Sequence, residues 1–192
     1  VRLLDAVDQK SAAHRARQPF GQVPTLEEDG RSPMFESGAI VWTVAERASV
    51  LIPTDPAQRT QVLEWCFAAL NTIEGALMNV AEVEFFLLDE AAKAVRRPQV
   101  LPFAEQRLAQ LQTALGDRDW LVGDEFTVAD LMMSSVLKIA LSLDLLETYP
   151  VLKAYQERCL DRPAYRKAIC DQCAIIAAHG PADMRYEDTG SA

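Results

Sequence analysis

Hydrophobic residues form their clearest pattern in the middle of the chain, where they recur at alternating spacings of four and three. The eight positions of this seam are Val62, Cys66, Ala69, Ile73, Ala76, Val80, Val83 and Leu87. Such spacing places all of them on one face of an α-helix. We therefore predict one long helix that ends near Asp89 and packs this face against neighbours, as is typical of bundle core rather than of a cofactor site. Further helices are predicted over residues 101–115, 127–145, 150–160 and 163–177.

The start of the chain has a different pattern, in which short apolar runs alternate with turn residues. A strand is predicted over residues 1–7, and a short helix capped by a serine is predicted over residues 11–17. Residues 23–26 and 34–35 are predicted to form a hairpin around an acidic turn that ends in glycine.

A helical period begins at Glu36 and continues to Arg47, and two prolines within residues 51–56 then predict a linker, because a helix cannot continue through them. These features predict an α/β domain, an all-helical domain and a polar tail. Their predicted ranges are 1–48, 57–178 and 179–192. The α/β domain is expected to be incomplete, because a strand, a helix and a hairpin alone make a poor sheet.

Thr127 and Asp130 form the most distinct helix-start signal. A threonine at the N-cap accepts a hydrogen bond from the first turn, and an acidic residue three positions later reaches back to the N–H of the cap. Phe126 and Leu131 flank the pair at the spacing of a hydrophobic staple. We interpret this segment as a structural helix start without catalytic chemistry.

Composition narrows the classes of partner. The chain has 192 residues, of which 49% are hydrophobic, and its formal net charge of −9 disfavours nucleic acid and membrane surfaces as partners. Apolar runs stay well short of the ~18 residues that a membrane span needs, and no secretory signal opens the chain. A cytoplasmic location with four reduced cysteines is therefore expected. The chain begins at Val1 rather than at methionine, as a processed protein or a fragment would.

Several separated segments resemble one protein family. They read QPFGQVPTL at residues 18–26, FESGAI at 35–40, WLVGDEFTVADL at 120–131 and RPA at 162–164. In this order they resemble the cytosolic glutathione S-transferases of the bacterial type. The resemblance implies a thioredoxin-like glutathione-binding domain, incomplete at its start, followed by the all-helical C-terminal domain of that family.

The resemblance also implies a function. It implies a homodimeric transferase of the detoxification type that activates the thiol of glutathione, its co-substrate, toward small electrophiles and uses no metal. In the family, a first strand and first helix of about 25–30 residues precede the position of Val1, and the Ser, Tyr or Cys that activates the thiol lies at their junction. The catalytic residue is therefore unknown in this sequence. The alternative is a non-catalytic binding or scaffold module, since fold does not fix function.

Three residues are predicted to hold glutathione. The resemblance implies a cis bond between Val23 and Pro24, which turns the N–H and C=O of Val23 outward to pair with an extended peptide. Ser37, at the start of a helix, offers its hydroxyl and free N–H groups to the γ-glutamyl carboxylate. Glu36 supplies the negative partner for the ammonium of the same moiety. The alternative is that Glu36 and Ser37 only cap the helix.

Three further residues have weaker predicted roles. Gln22 stands beside the strand edge with a donor and an acceptor, and Lys10 aligns with a basic residue that the family uses near the glycyl carboxylate. Phe20 is either a key inserted into a partner subunit or a local packing residue over the sheet.

The remaining cysteines and histidines of interest are interpreted as structural rather than catalytic residues. Cys170 and Cys173 form a CxxC motif late in a predicted helix, where the helix dipole disfavours a thiolate, so we interpret the spacing as incidental. His14 and His179 have no acid or cysteine at metal or triad spacing and are not predicted to be catalytic.

Overall fold

The polypeptide is mostly helical in the computed structural model, which describes residues 1–180. Most of the predicted polar tail, residues 181–192, lies outside the described residues. The two strands are Thr25–Leu26 (β1) and Met34–Phe35 (β2). The helices are Ala6–Lys10 (α1), Ala12–Arg15 (α2), Ser37–Ala48 (α3), Pro56–Phe67 (α4), Glu74–Ala81 (α5), Glu90–Leu115 (α6), Val128–Ser142 (α7), Pro150–Leu160 (α8) and Pro163–His179 (α9).

The first residues of the chain are not a strand, and the prediction for residues 1–7 is wrong. The Asp5 carboxylate accepts hydrogen bonds from the N–H groups of Val7 and Asp8, at 2.8 and 2.7 Å, and caps α1. The cap satisfies backbone donors that a strand would offer to a neighbour, so the local hydrogen bonds favour a helix. Ser11 caps α2 in the same way, as predicted.

The predicted hairpin and the helix after it are present. Strands β1 and β2 are antiparallel, with Thr25 opposite Phe35 and Leu26 opposite Met34. An ion pair of 2.8 Å between Arg17, just after α2, and Glu27, just after β1, joins the two segments.

The predicted long helix is continuous from Pro56 to Phe86, but it contains two π-helical segments. These are Ala68–Ile73, between α4 and α5, and Glu82–Phe86, after α5. Seven of the eight seam residues are buried. The eighth, Leu87, is half-buried and lies just beyond the helix in extended conformation. The seam is therefore bundle core, as the spacing predicts.

Helix α6 is longer than predicted. It begins at Glu90 rather than near residue 101, and Asp89 caps it by accepting hydrogen bonds from the N–H groups of Ala91 and Ala92. Pro98 lies inside this first half and interrupts the apolar period there. The early, mostly exposed turns thus lack the apolar face that makes a helix visible in sequence.

Asp130 organises the start of α7. The carboxylate is fully buried, and Oδ2 accepts hydrogen bonds from the N–H and the hydroxyl of Thr127, at 2.9 and 3.0 Å. The Thr127 oxygen in turn accepts from the N–H of Ala129 at 3.2 Å, which completes the predicted capping box. Oδ1 accepts from the N–H of Leu121 at 2.8 Å and from the Tyr155 hydroxyl at 2.9 Å. One carboxylate therefore joins the cap, the preceding loop and helix α8.

The described chain forms two compact units. The first comprises Val1–Val44 together with the segment from Leu160 onward, and the second is Ala45–Cys159. The domain ranges 1–48 and 57–178 stay a prediction. Across residues 1–180, no helix is both long and apolar enough to span a membrane.

Candidate functional site

The segment that enters β1 contains the predicted cis peptide bond. The Val23–Pro24 bond is cis, as predicted, and Val23 is 56% exposed. Because β1 and β2 are antiparallel, the residues just before β1 and just after β2 lie at the same end of the hairpin. The cis bond and the start of α3 therefore share one end of this small sheet.

The start of α3 has an unusual backbone. Glu36 has a φ of 68°, in the left-handed region that residues other than glycine rarely adopt. Backbone strain of this kind is concentrated at functional sites, where the surrounding structure maintains it. The Glu36 side chain is exposed, while Ser37, the first residue of α3, is half-buried.

Helix α3 presents free backbone donors at this end. Its first hydrogen bond joins the N–H of Ile40 to the C=O of Glu36, at 3.0 Å. The N–H groups of Ser37, Gly38 and Ala39 therefore have no partner within the helix. Free donors and the positive end of the helix dipole together favour an anion at this position.

Two buried side chains hold the loop that leads to Val23. His14 and Gln18 are only 4% and 2% exposed. The Nε2 atom of His14 donates to the carbonyl of Gln22 at 2.7 Å, and the N–H of Gln22 donates to Oε1 of Gln18 at 3.0 Å. Both backbone groups of Gln22 are thus engaged, and its exposed side chain is left as the part available to a ligand.

Gly21 is required by the path of this loop. It has a φ of 68°, and a Cβ atom there would lie 3.0 Å from the carbonyl oxygen of Gln9. Any side chain would therefore combine an unfavourable backbone conformation with a close contact to backbone.

His14 and Gln18 are positioning residues that the sequence analysis missed. In sequence, His14 stands isolated from acids and cysteines at metal or triad spacing. Gln18 lies beyond the end of α2, so no helical spacing signals the pair, and both contacts depend on how the loop turns back toward α2.

Two of the three residues with weaker predicted roles, Lys10 and Phe20, lie at the surface of the same unit. Lys10 is exposed and ends α1. Phe20 is 70% exposed, and its ring meets that of Phe35 edge-to-face with centroids 6.3 Å apart. Phe20 therefore makes the local packing contact and still presents most of its surface outward.

The second unit contains a cavity of about 320 Å³, separate from the hairpin end described above. Its lining includes residues 51–54 and residues 122–125. Asp124 and Glu125 belong to this lining, so the cavity is unsuited to a ligand that carries carboxylates. Among residues 1–180, no group of three or more His, Cys, Asp or Glu side chains is placed to hold a metal ion.

Comparison with known proteins gives a consistent family. Residues 78–163 match the model of the glutathione S-transferase C-terminal domain. The glutathione S-transferase GstA of Escherichia coli is 30% identical over 158 residues, which cover 80% of this chain and 75% of that protein. An uncharacterized GST-like protein of Streptococcus mutans is 28% identical over 183 residues, with 88% of this chain and 68% of that protein covered.

Solved structures give the same fold. A glutathione transferase from Burkholderia graminis, crystallised with two glutathione molecules bound per subunit, superposes with a TM-score of 0.76 at 22% identity. The match covers 84% of this chain and 72% of that one. The predicted fold class, a thioredoxin-like N-terminal domain followed by the helical C-terminal domain, is thereby confirmed. The chain belongs to the glutathione S-transferase family.

Proposed function

We propose that this protein is a glutathione transferase that binds glutathione at the hairpin end and presents its thiol to small electrophiles. One observation carries the proposal. The cis Val23–Pro24 bond and the N-terminus of α3, with its free N–H groups, lie at the same end of the sheet. Relatives that bear the transferase name, and related structures that contain glutathione, support it.

Each part of glutathione has a chemically matched partner in this arrangement. The central cysteinyl unit pairs with the exposed backbone of Val23 as an added strand. The γ-glutamyl carboxylate lies at the Ser37 hydroxyl and the free N–H groups of α3, and the ammonium of the same moiety lies against Glu36. Gln22 and Lys10 are assigned to polar contacts with the remainder of the tripeptide, Lys10 near the glycyl carboxylate.

Calorimetry tests the binding step. Glutathione is expected to bind the full chain, whereas cysteinylglycine, which lacks the γ-glutamyl moiety, is expected to bind far more weakly because it cannot occupy the Glu36 and Ser37 contacts. Equal affinities for the two peptides would contradict the assignment of those contacts.

A conjugation assay then tests the chemistry. Incubation of the intact natural protein with glutathione and a small aromatic electrophile is expected to form the thioether faster than the same mixture without protein. Binding without acceleration would favour the alternative function, a non-catalytic binding or scaffold module. The two measurements therefore separate the two functions.

We also propose a cytoplasmic homodimer in which Phe20 inserts into the partner. Phe20 is an exposed aromatic residue on a loop, and Leu63 and Phe67, which are 39% and 63% exposed, form a second apolar surface. Exposed apolar surfaces of this kind are typical of interfaces. A two-fold axis would use each surface twice.

Replacement of Phe20 by serine is expected to shift the sedimentation of the protein from dimer toward monomer at micromolar concentration, because each interface loses two aromatic anchors. The exposed Val7→Ser variant serves as a control for loss of apolar surface elsewhere. A wild-type chain that sediments as a monomer would end the dimer proposal, and a dimer unaffected by Phe20→Ser would remove Phe20 from the interface.

A further inference from the structure

Helix α9 carries two accessible thiols that the proposed function does not use. Cys170 is exposed and Cys173 is half-exposed, and both lie within the continuous helix Pro163–His179. Their spacing of three places them on one face of the helix, one turn apart. The pair is therefore a preformed arrangement of two sulfur atoms rather than an isolated cysteine.

Helix geometry disfavours a disulfide between these two residues. Positions three apart in a helix have Cβ atoms about 5–6 Å apart, whereas a disulfide requires roughly 3.5–4.5 Å. A single atom bonded to both sulfurs spans a longer distance, because two bonds of about 2.3 Å replace one S–S bond of about 2.05 Å. The undistorted helix therefore suits a bridging atom better than a direct bond.

The number of protein side chains that can act as ligands limits which elements this site can bind. A structural zinc ion takes four protein ligands, and no third His, Cys, Asp or Glu side chain among residues 1–180 joins this pair. We propose that Cys170 and Cys173 form a two-thiol site for a soft element that binds two sulfur ligands. A trivalent organoarsenical represents this class of ligand.

The binding reaction involves no oxidation. A hydrated organoarsenical carries two hydroxyl groups on arsenic, and each thiol replaces one of them. Two As–S bonds form, two As–O bonds break, and the proton of each thiol leaves with a hydroxyl as water. Arsenic stays trivalent, so no oxidant or reductant is required.

The two other cysteines are poor competitors. Cys66 and Cys159 are buried in the second unit. Burial, and secondarily the Asp130 charge, raises the pKa of Cys66 to about 11 and that of Cys159 to about 12. Both thiols are thus protonated at neutral pH, the condition of the binding experiment, and shielded from the solvent.

Phenylarsine oxide is the probe for this site, added to the full chain in a phosphine reductant that supplies no competing thiol. Intact mass is expected to show one phenylarsenic group per chain. Cys173→Ser is expected to weaken binding roughly 100-fold, because the second bond is then no longer intramolecular. Iodoacetamide, which needs one thiol, should still label Cys170 in this variant and so report that this thiol remains accessible.

A variant with a displaced thiol is the matched control. Combining Gln172→Cys with Cys173→Ser keeps two thiols on α9 but places them about 200° apart around the helix, so binding is expected to stay weak. Tight binding by this variant, or unchanged affinity in Cys173→Ser, would overturn the proposal. Binding that persists in the Cys170→Ser, Cys173→Ser double variant would also overturn it, by assigning capture to Cys66 or Cys159.

Discussion

Replacement of Asp130 by alanine is expected to lower the free energy of unfolding by about 3–5 kcal/mol, the range found when one partner of a buried charged network is removed. The carboxylate is fully buried and accepts four hydrogen bonds, two from Thr127, one from Leu121 and one from Tyr155. The substitution leaves these donors in a site that water does not reach. Urea or thermal unfolding of wild type and variant measures the difference.

Two smaller substitutions apportion this effect. Thr127→Ala removes only the cap oxygen and is expected to cost about 0.5–2 kcal/mol. Tyr155→Phe removes one donor and is expected to cost about 1 kcal/mol. Each should cost less in an Asp130→Ala background, because the partner carboxylate is already gone. Full additivity would show that the side chains do not act as one network, and a loss below 1 kcal/mol for Asp130→Ala would contradict its central role.

The hydrogen bonds around Asp130 show which contacts a local sequence pattern can predict and which it cannot. The capping box is visible because Thr127 and Asp130 are three residues apart and their interaction is local. The hydrogen bond from Tyr155 joins residues 25 positions apart, and no local pattern encodes which distant side chain meets the second carboxylate oxygen. Burial raises the pKa of the Tyr155 hydroxyl well above its usual value, with Asp130 adding to the shift, so this donor stays protonated.

The errors at other elements have equally local causes. Apolar residues at the chain start suggested a strand, but Asp5 followed by Asp8 is a helix-start signal that outweighs two or three apolar side chains. The early turns of α6 were missed because they are mostly exposed and contain Pro98. In both cases hydrogen-bonded caps, rather than burial, determine where the helix begins.

The candidate site was predictable in part. The cis bond at Pro24 and the helix start at Ser37 follow from the resemblance, because those motifs are contiguous in sequence. The left-handed backbone of Glu36 was not predicted, since nothing in the residue type suggests it. The support of Gln22 by buried His14 and Gln18 was missed for the same reason as the Tyr155 contact, because it depends on how the chain turns back on itself.

Glutathione affinity is expected to fall by roughly 1–3 kcal/mol in each of the variants Ser37→Ala and Glu36→Gln, as for loss of a charge-assisted hydrogen bond. Both residues are assigned to one moiety, Ser37 to its carboxylate and Glu36 to its ammonium. Loss of either contact loosens the other, so the double variant is expected to lose less than the sum. Calorimetry of the three variants measures these differences, and Ser32→Ala and Asp29→Asn, which are exposed in the hairpin turn, serve as controls.

A ligand change makes the test specific to the ammonium contact. In a glutathione analogue whose γ-glutamyl amino group is replaced by hydrogen, Glu36→Gln has no ammonium to lose and should leave affinity unchanged, whereas Ser37→Ala should still weaken binding. If Ser37 and Glu36 only cap α3, both substitutions will instead lower the free energy of unfolding and leave the affinity for either ligand intact. Unchanged glutathione affinity in the double variant would therefore remove both residues from the site and leave capping of α3 as their role.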